Sequence, residues 1–237
     1  MFRPGIKPTE SKECYMNEYL IRKAIPADIP FLADVVIASE KGMSDRLSFT
    51  TLFNKTEEEA KELIIHMFEE EVDGCELSLS SFIVTEFEGK PVSGSGAWIE
   101  SFGGNLPSGI LKSNLISYTF GKESIGYLKT KSDIVKGVLI DREPMTLQLE
   151  YFHIKNEHLG KGLDDGLMNY IETQALAAYP ELKKVQCQIF KNSVFSIKIL
   201  LRHGFKITGS YKADNEEVFE YLPFNEKLLM EKILKTD

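Results

Sequence analysis

The stretch from Leu147 to Leu167 constrains this chain more than any other. An apolar strand, Leu147 to Ile154, runs into a turn carrying Gly160 and Gly162, and a helical pattern opens at Leu163. A strand that delivers two glycines to the first turn of a helix aims unpaired backbone N–H groups at one point. Such a point suits a phosphate, and glycine serves there because a Cβ would hold the anion away.

The 237 residues, 43% of them hydrophobic, are enough for one large core. We expect a single domain over residues 19–237, preceded by a polar N-terminal extension over 1–18 that carries proline and lysine. No apolar run reaches membrane-spanning length and residues 1–8 lack the apolar stretch of a secretory signal, so the expectation is a cytoplasmic protein without a membrane partner. Cys14, Cys75 and Cys187 form no Cys-x-x-Cys pair, and His66, His153, His158 and His203 show no ligand spacing, so no metal is expected. The net charge of -8 argues against a nucleic-acid partner and leans toward a cationic small molecule.

Along the chain, Tyr19 to Ala24 reads as a strand, and Ile29, Leu32, Ala33, Val36 and Ile37 recur at helical spacing after Pro26. Thr56 and Glu59 make a capping box ahead of a helix that turns Leu63, Ile64, Met67 and Phe68 inward. Ser81 to Phe87 and Val92 to Glu100 alternate and are joined by Glu88-Gly89-Lys90-Pro91, a hairpin signal. Residues 101–145 are irregular, with helical stretches near 111–120 and 124–129, and read as an insertion. After the glycine turn come a helix from Leu163 to Tyr179 with Leu163, Leu167, Tyr170, Ile171 and Ala178 inward, a strand from Lys184 to Phe190, and a helix from Val194 to His203. Strands at Phe205 to Tyr211 and Lys227 to Leu234 complete the chain. The order predicts an α/β (α+β) fold with a mixed, twisted central sheet of about seven strands, antiparallel in its first half and parallel later, with helices on both faces.

This order, the turn Glu157-His158-Leu159-Gly160-Lys161-Gly162 and the segment Leu200-Leu201-Arg202-His203-Gly204-Phe205 resemble the GNAT superfamily of N-acetyltransferases over roughly residues 19–235. The family turn reads Gln/Arg-x-x-Gly-x-Gly/Ala, and Glu157 stands here where Gln or Arg is usual. The resemblance implies that the amides of Leu159, Gly160, Lys161, Gly162 and Leu163 hold the pyrophosphate of acetyl-CoA. It implies that Phe152, His153 and Ile154 bond its pantetheine arm, and that Ser196 lies beside that arm. Leu200 occupies the position where many members carry a tyrosine proposed to protonate the leaving thiolate. Dimers are frequent in the family, so a homodimer is among the expectations.

Acetyl transfer to an amine needs a deprotonated nitrogen, a polarised thioester carbonyl and a proton for the departing sulfur. Backbone N–H groups where the strand at Ile154 parts from Gln188 to Phe190 would polarise the carbonyl, which implies direct transfer in a ternary complex without a side-chain nucleophile. Glu150 is the candidate general base, against the plainer reading of a salt-bridged strand carboxylate. Gln148 shares its face, whereas His153 is expected on the opposite one. Lys161 suits either a phosphate or solvent. Asp164 and Asp165 complement the helix dipole and are expected to point away from the anion. The loop 42–55 and the insertion 101–145 would frame the acceptor. There Glu40, Asp45 and Glu100 could draw an ammonium, and Tyr118, Phe120 and Tyr127 could pack on its carbon skeleton, although surface or core roles fit each of these better. Trp98 reads as core.

The acceptor expected is a small-molecule or peptide amine. A dinucleotide-binding reading of Gly160-x-Gly162-x-x-x-Gly166 lacks the acid at the end of the next strand, where Lys191-Asn192-Ser193 stands. The competing function is a non-catalytic sensor or scaffold that binds acyl-CoA, favoured by Glu157 and Leu200.

Overall fold

Alternation and helical spacing produce the elements that the sequence anticipates, with one long exception. The computed structural model describes residues 14–16 and 18–234; most of the expected extension 1–18 lies outside them. A short edge strand β1 (Cys14–Met16) pairs antiparallel with β2 (Tyr19–Lys23). Helices α1 (Ile29–Lys41), the short α2 (Ser48–Thr51) and α3 (Glu57–Glu69) follow. Thr56 accepts the amide of Glu59 at 3.2 Å while the Glu59 carboxylate accepts that of Thr56 at 2.8 Å, the reciprocal cap read from the sequence. Strands β3 (Phe82–Phe87) and β4 (Lys90–Ile99) form the hairpin over a two-residue turn, Glu88 and Gly89, both at positive φ.

The exception is the insertion. The two expected helical stretches are present but longer than read: α4 (Ser108–Val135) is two helical segments that meet at the non-helical Gly121, and it packs on α3. Its apolar residues Leu115, Ile116 and Phe120 are buried on one face, a weak periodicity that tertiary packing completes. Strand β5 (Leu147–Ile154), helix α5 (Leu163–Ala178), strand β6 (Lys184–Phe190), helix α6 (Val194–Arg202), strand β7 (Lys206–Lys212), the short α7 (Val218–Tyr221) and strand β8 (Glu226–Ile233) complete the described chain.

These strands make one eight-stranded sheet in the order β1-β2-β3-β4-β5-β6-β8-β7, in which only β5 and β6 are parallel. One face carries α1, α3 and α4 over Phe82, Val84 and Tyr151. The other carries α5 and α6 over Ile21, Ile83, Leu147, Leu149, Val185 and Met230. Within α5, Leu163, Leu167, Tyr170 and Ile171 are buried as expected. Ala178 is exposed instead, and Met168 takes a core position. Gly166 lies against the first two strands, where a Cβ would come within 2.7 Å of the Met16 sulfur, so its role is close packing.

Candidate functional site

The site is built where β5 leaves its neighbours. Strand β5 pairs with β6 from Leu147↔Val185 to Leu149↔Cys187 and then parts from it, while β6 continues along β8 as far as Phe190↔Lys227. The split thus opens at Leu149, well before the Ile154 expected from the sequence. On its other edge β5 bulges against β4: Gly96 pairs with Glu150 and Gly94 with His153, leaving Ser95 opposite both Tyr151 and Phe152. Tyr151 absorbs the extra residue with φ of 58°.

The bulge changes which side chains share a face. Strict alternation would put Glu150 and Tyr151 on opposite sides of the sheet, but both turn toward α1 and α4, where each bonds into one polar network. His153 follows onto the same side. Its cross-strand partner Gly94 lies against Phe31 and Val35 of α1, so the expectation that His153 faces away from Glu150 is corrected. A regular strand gives no warning of such an inserted residue.

Between the diverging strands lies a cleft of about 260 Å³. Glu150, Tyr151, Phe152 and His153 of β5 line it, as do Cys187 and Gln188 of β6, Ser196 and Leu200 of α6, Leu167 of α5 and Glu40 of α1. Ile154 is buried with Tyr19, Val92 and Leu163 and does not line the cleft. At the rim the end of α1 meets the start of α6, since a Cβ on Gly42 would sit 3.1 Å from the Ser193 hydroxyl. Burial pushes the Cys187 thiol far above its usual range and lowers His153 below the usual histidine value.

The glycine loop stands at the start of α5. Gly160 and Gly162 have φ of 73° and 72°, in the left-handed region, and a Cβ at either would meet nothing within 4 Å. Among the described residues no acceptor meets the N–H groups of Gly160, Lys161, Gly162, Leu163, Asp164 and Asp165; the first bond of the helix runs from Gly166 to the Gly162 carbonyl. Six open donors and a space that side chains would fill fit the diphosphate of a coenzyme. The acids nearby are engaged elsewhere. Arg202 of α6 pairs with Asp164 and, at 3.2 Å, with Asp165, and the His203 ring lies 3.0 Å from Asp165. His158 bonds the Tyr19 hydroxyl at 3.1 Å and packs against Phe87, which ties the loop to the sheet. Leu159, Lys161 and Glu157 are exposed.

Beneath the cleft lies a network that the sequence reading missed. Glu76, 1% exposed in the connection between α3 and β3, accepts the Tyr151 hydroxyl at 2.5 Å, pairs with Lys112 of α4, and sits 2.5 Å from the Arg142 guanidinium. Arg142 also pairs with Glu150 at 2.6 Å and lies over the Trp98 ring at 5.1 Å. Burial works to raise the Glu76 carboxyl, yet the Arg142 and Lys112 charges and its hydrogen bonds hold it at about 2. Glu150 goes the other way: burial, with the like charge of Glu76 behind it, raises its carboxyl above the usual range although Arg142 adjoins it. Its place between the apolar Cys75 and Leu77 was the available signal for Glu76. Arg142, in an irregular stretch before Pro144, gave none.

The expected acceptor residues separate. Glu40 lines the cleft and accepts the Ser48 hydroxyl at 2.7 Å, with no cation within ion-pair distance among the described residues. Asp45 is exposed away from it, and Glu100, 1% exposed, is consumed by Trp98 and Ser108. Tyr118 is on the surface, Phe120 packs with Phe49 and Phe53, and Tyr127 lies at a separate polar groove. None of these three reaches the cleft. Trp98 is core, as expected.

No family profile and no curated protein matches the chain. Solved structures do match. An acetyltransferase superposes with a TM-score of 0.57 at 14% identity, covering 91% of this chain and 99% of its own. An N-acetyltransferase from Staphylococcus aureus Mu50 gives 0.56 at 14% identity, over 90% and 99%. An acetyltransferase of the GNAT family from Streptococcus pneumoniae gives 0.52 at 16% identity, over 92% and 100%. The split between β5 and β6, the bulge at Tyr151 and the glycine loop thus sit in a scaffold shared with these proteins, and the fold of this chain is that of the GNAT acetyltransferases.

Proposed function

We propose that this protein is an N-acetyltransferase that moves an acetyl group from acetyl-CoA to a primary amine within the cleft. The observation that carries this reading is the run of six unengaged N–H groups at the start of α5, the helix whose Leu167, Met168 and Ile171 line the cleft along β5. The loop from Gly160 to Leu163 would hold the diphosphate, while the Leu159 N–H, expected to join it, is already given to the Asn156 carbonyl at 3.2 Å; the edge of β5 at Phe152 and His153 would take the pantetheine arm. Acetyl-CoA, when bound, supplies the acetyl group as a thioester and leaves as the thiol, its sulfur taking the second proton that the nitrogen gives up.

Glu150 accepts the first proton, from the ammonium form of the acceptor, and so exposes the lone pair that forms the new C–N bond. Its raised carboxyl brings it nearer the operating pH, which is where a proton acceptor works best. Backbone N–H groups on the edge of β5 that parts from β6 would polarise the carbonyl. Glu40, a carboxylate without a cationic partner on the cleft wall, draws a positively charged acceptor. The Cys187 thiol, held protonated by burial, plays no nucleophilic part, so transfer is direct.

Leu200 supports one competing reading. It is buried and lines the cleft where a proton donor would be useful, which suits a protein that binds acyl-CoA without turning it over. Detection of free thiol from acetyl-CoA across a panel of primary amines separates the two. Turnover with any amine supports the enzyme, tight binding without thiol release supports the sensor, and absence of binding removes both.

A further inference from the structure

We propose that Glu76 is a positioning residue for Glu150: by sharing Arg142 and holding Lys112 on its own buried carboxylate, it denies Glu150 sole possession of the nearby positive charge and keeps it able to accept a proton. This rests on the acetyltransferase reading above and names a residue that touches neither the acceptor nor the coenzyme.

The geometry is that of two carboxylates sharing one cation. Arg142 Nη2 donates to Glu150 at 2.6 Å and lies 2.5 Å from Glu76 Oε2, an ion-pair contact without hydrogen-bond geometry. A carboxylate that monopolised this guanidinium would be a poor base, because proton uptake would break a buried ion pair. Glu76 prevents this in two ways. It competes for the guanidinium, and its negative charge opposes a second negative charge on Glu150. Lys112, which could otherwise turn to Glu150, is held by Glu76 and lies 2.9 Å from the Tyr151 hydroxyl.

The bulge at Tyr151 makes the arrangement possible. It puts Glu150 and the next side chain on one face, so that Tyr151 donates to Glu76 while Glu150 stays at the cleft. The groups around Glu150 are Arg142 from the segment before β5, Glu76 from the connection before β3, Lys112 from α4, Tyr151 on β5, Cys187 on β6 and, farther off, Glu40 on α1. Among these only Arg142 and Lys112 are cations, and Glu76 contacts both.

The test titrates the carboxyls of the ligand-free protein by NMR with ¹³C-labelled glutamate, using Glu150→Gln to assign the Glu150 signal. In Glu76→Gln the Glu150 midpoint should fall by about one pH unit or more, and the acid limb of kcat/KM should move by the same amount. Glu76→Asp, which keeps the charge, should return the midpoint toward the wild-type value even where it lowers stability. Lys112→Gln should move the midpoint up, and it carries the test alone if Glu76→Gln does not fold. A midpoint unmoved in Glu76→Gln, or unmoved in Lys112→Gln, overturns the proposal and leaves Glu76 a purely structural ion. If the midpoints shift but the wild-type protein releases no thiol with any amine, the acetyltransferase reading fails while the control of Glu150 by Glu76 stands.

Discussion

Replacing Glu76 by Gln should change how stability depends on pH as well as how Glu150 titrates. A carboxyl held at about 2 in the folded protein, against 4.5 when unperturbed, differs by 2.5 units between the two states. At about 1.4 kcal/mol per unit this amounts to roughly 3 kcal/mol. Because the folded value is the lower one, the contribution is fully present above about pH 4.5 and is lost as pH falls toward about pH 2. Gln keeps the shape and can still accept from Tyr151, but it leaves the half-buried Lys112 without its counter-charge. The variant should therefore be about 3 kcal/mol less stable near neutrality, and the gap should close through the acid window. Glu150, raised instead of lowered, acts with the opposite sign and is itself expected to titrate lower in the variant, so the two stability curves are read together with the Glu150 midpoints. Urea unfolding followed by fluorescence of Trp98, the single tryptophan, provides the assay, with the probe 5.1 Å from the Arg142 guanidinium. Parallel stability curves for the two proteins across the acid window would refute the reasoning.

Other consequences follow from the same geometry. Changing Gly160 and Gly162 together to Ala should cost about 1 kcal/mol of backbone strain at each, since both sit at positive φ, yet leave the fold intact because each new methyl meets open space. Coenzyme A affinity by calorimetry should fall at least about tenfold, and unchanged affinity beside the expected loss of stability would contradict the cradle. Glu150→Gln should lower kcat by about a hundredfold or more and abolish the acid limb of the rate profile without altering acetyl-CoA binding; an unchanged rate at saturating amine removes Glu150 from its role. Glu40→Gln should raise KM for cationic amines severalfold with little change in kcat, and an equal effect on neutral amines would show that its charge is not what is felt. Intact-mass measurement after mixing with acetyl-CoA alone should find no acetyl group on Cys187.

How much of this could be read from the residues depends on whether the signal was local. The capping box at Thr56, the strand Leu147 to Ile154 and the helix start at Leu163 were legible because each is set by neighbours in sequence. The glycines of the loop were legible for the same reason, as their backbone geometry is a property of the residue type. Helix α4 was only half visible, since its apolar pattern is diluted by Ser and Gly and the helix contacts α3, far off in sequence. The bulge at Tyr151 left no trace in the sequence, and with it went the correct face for His153. Glu76, Lys112, Arg142 and Glu150 come from four separate parts of the chain, so no spacing rule could join them.

The central claim is that main-chain donors at the start of α5 grip the coenzyme. Backbone amide NMR with unlabelled coenzyme A added stepwise tests it most directly. The account predicts that the resonances of Gly160, Lys161, Gly162, Leu163, Asp164 and Asp165 move downfield together and saturate at one ligand per chain. Saturable binding that leaves these six signals in place, or no binding at all, would contradict it.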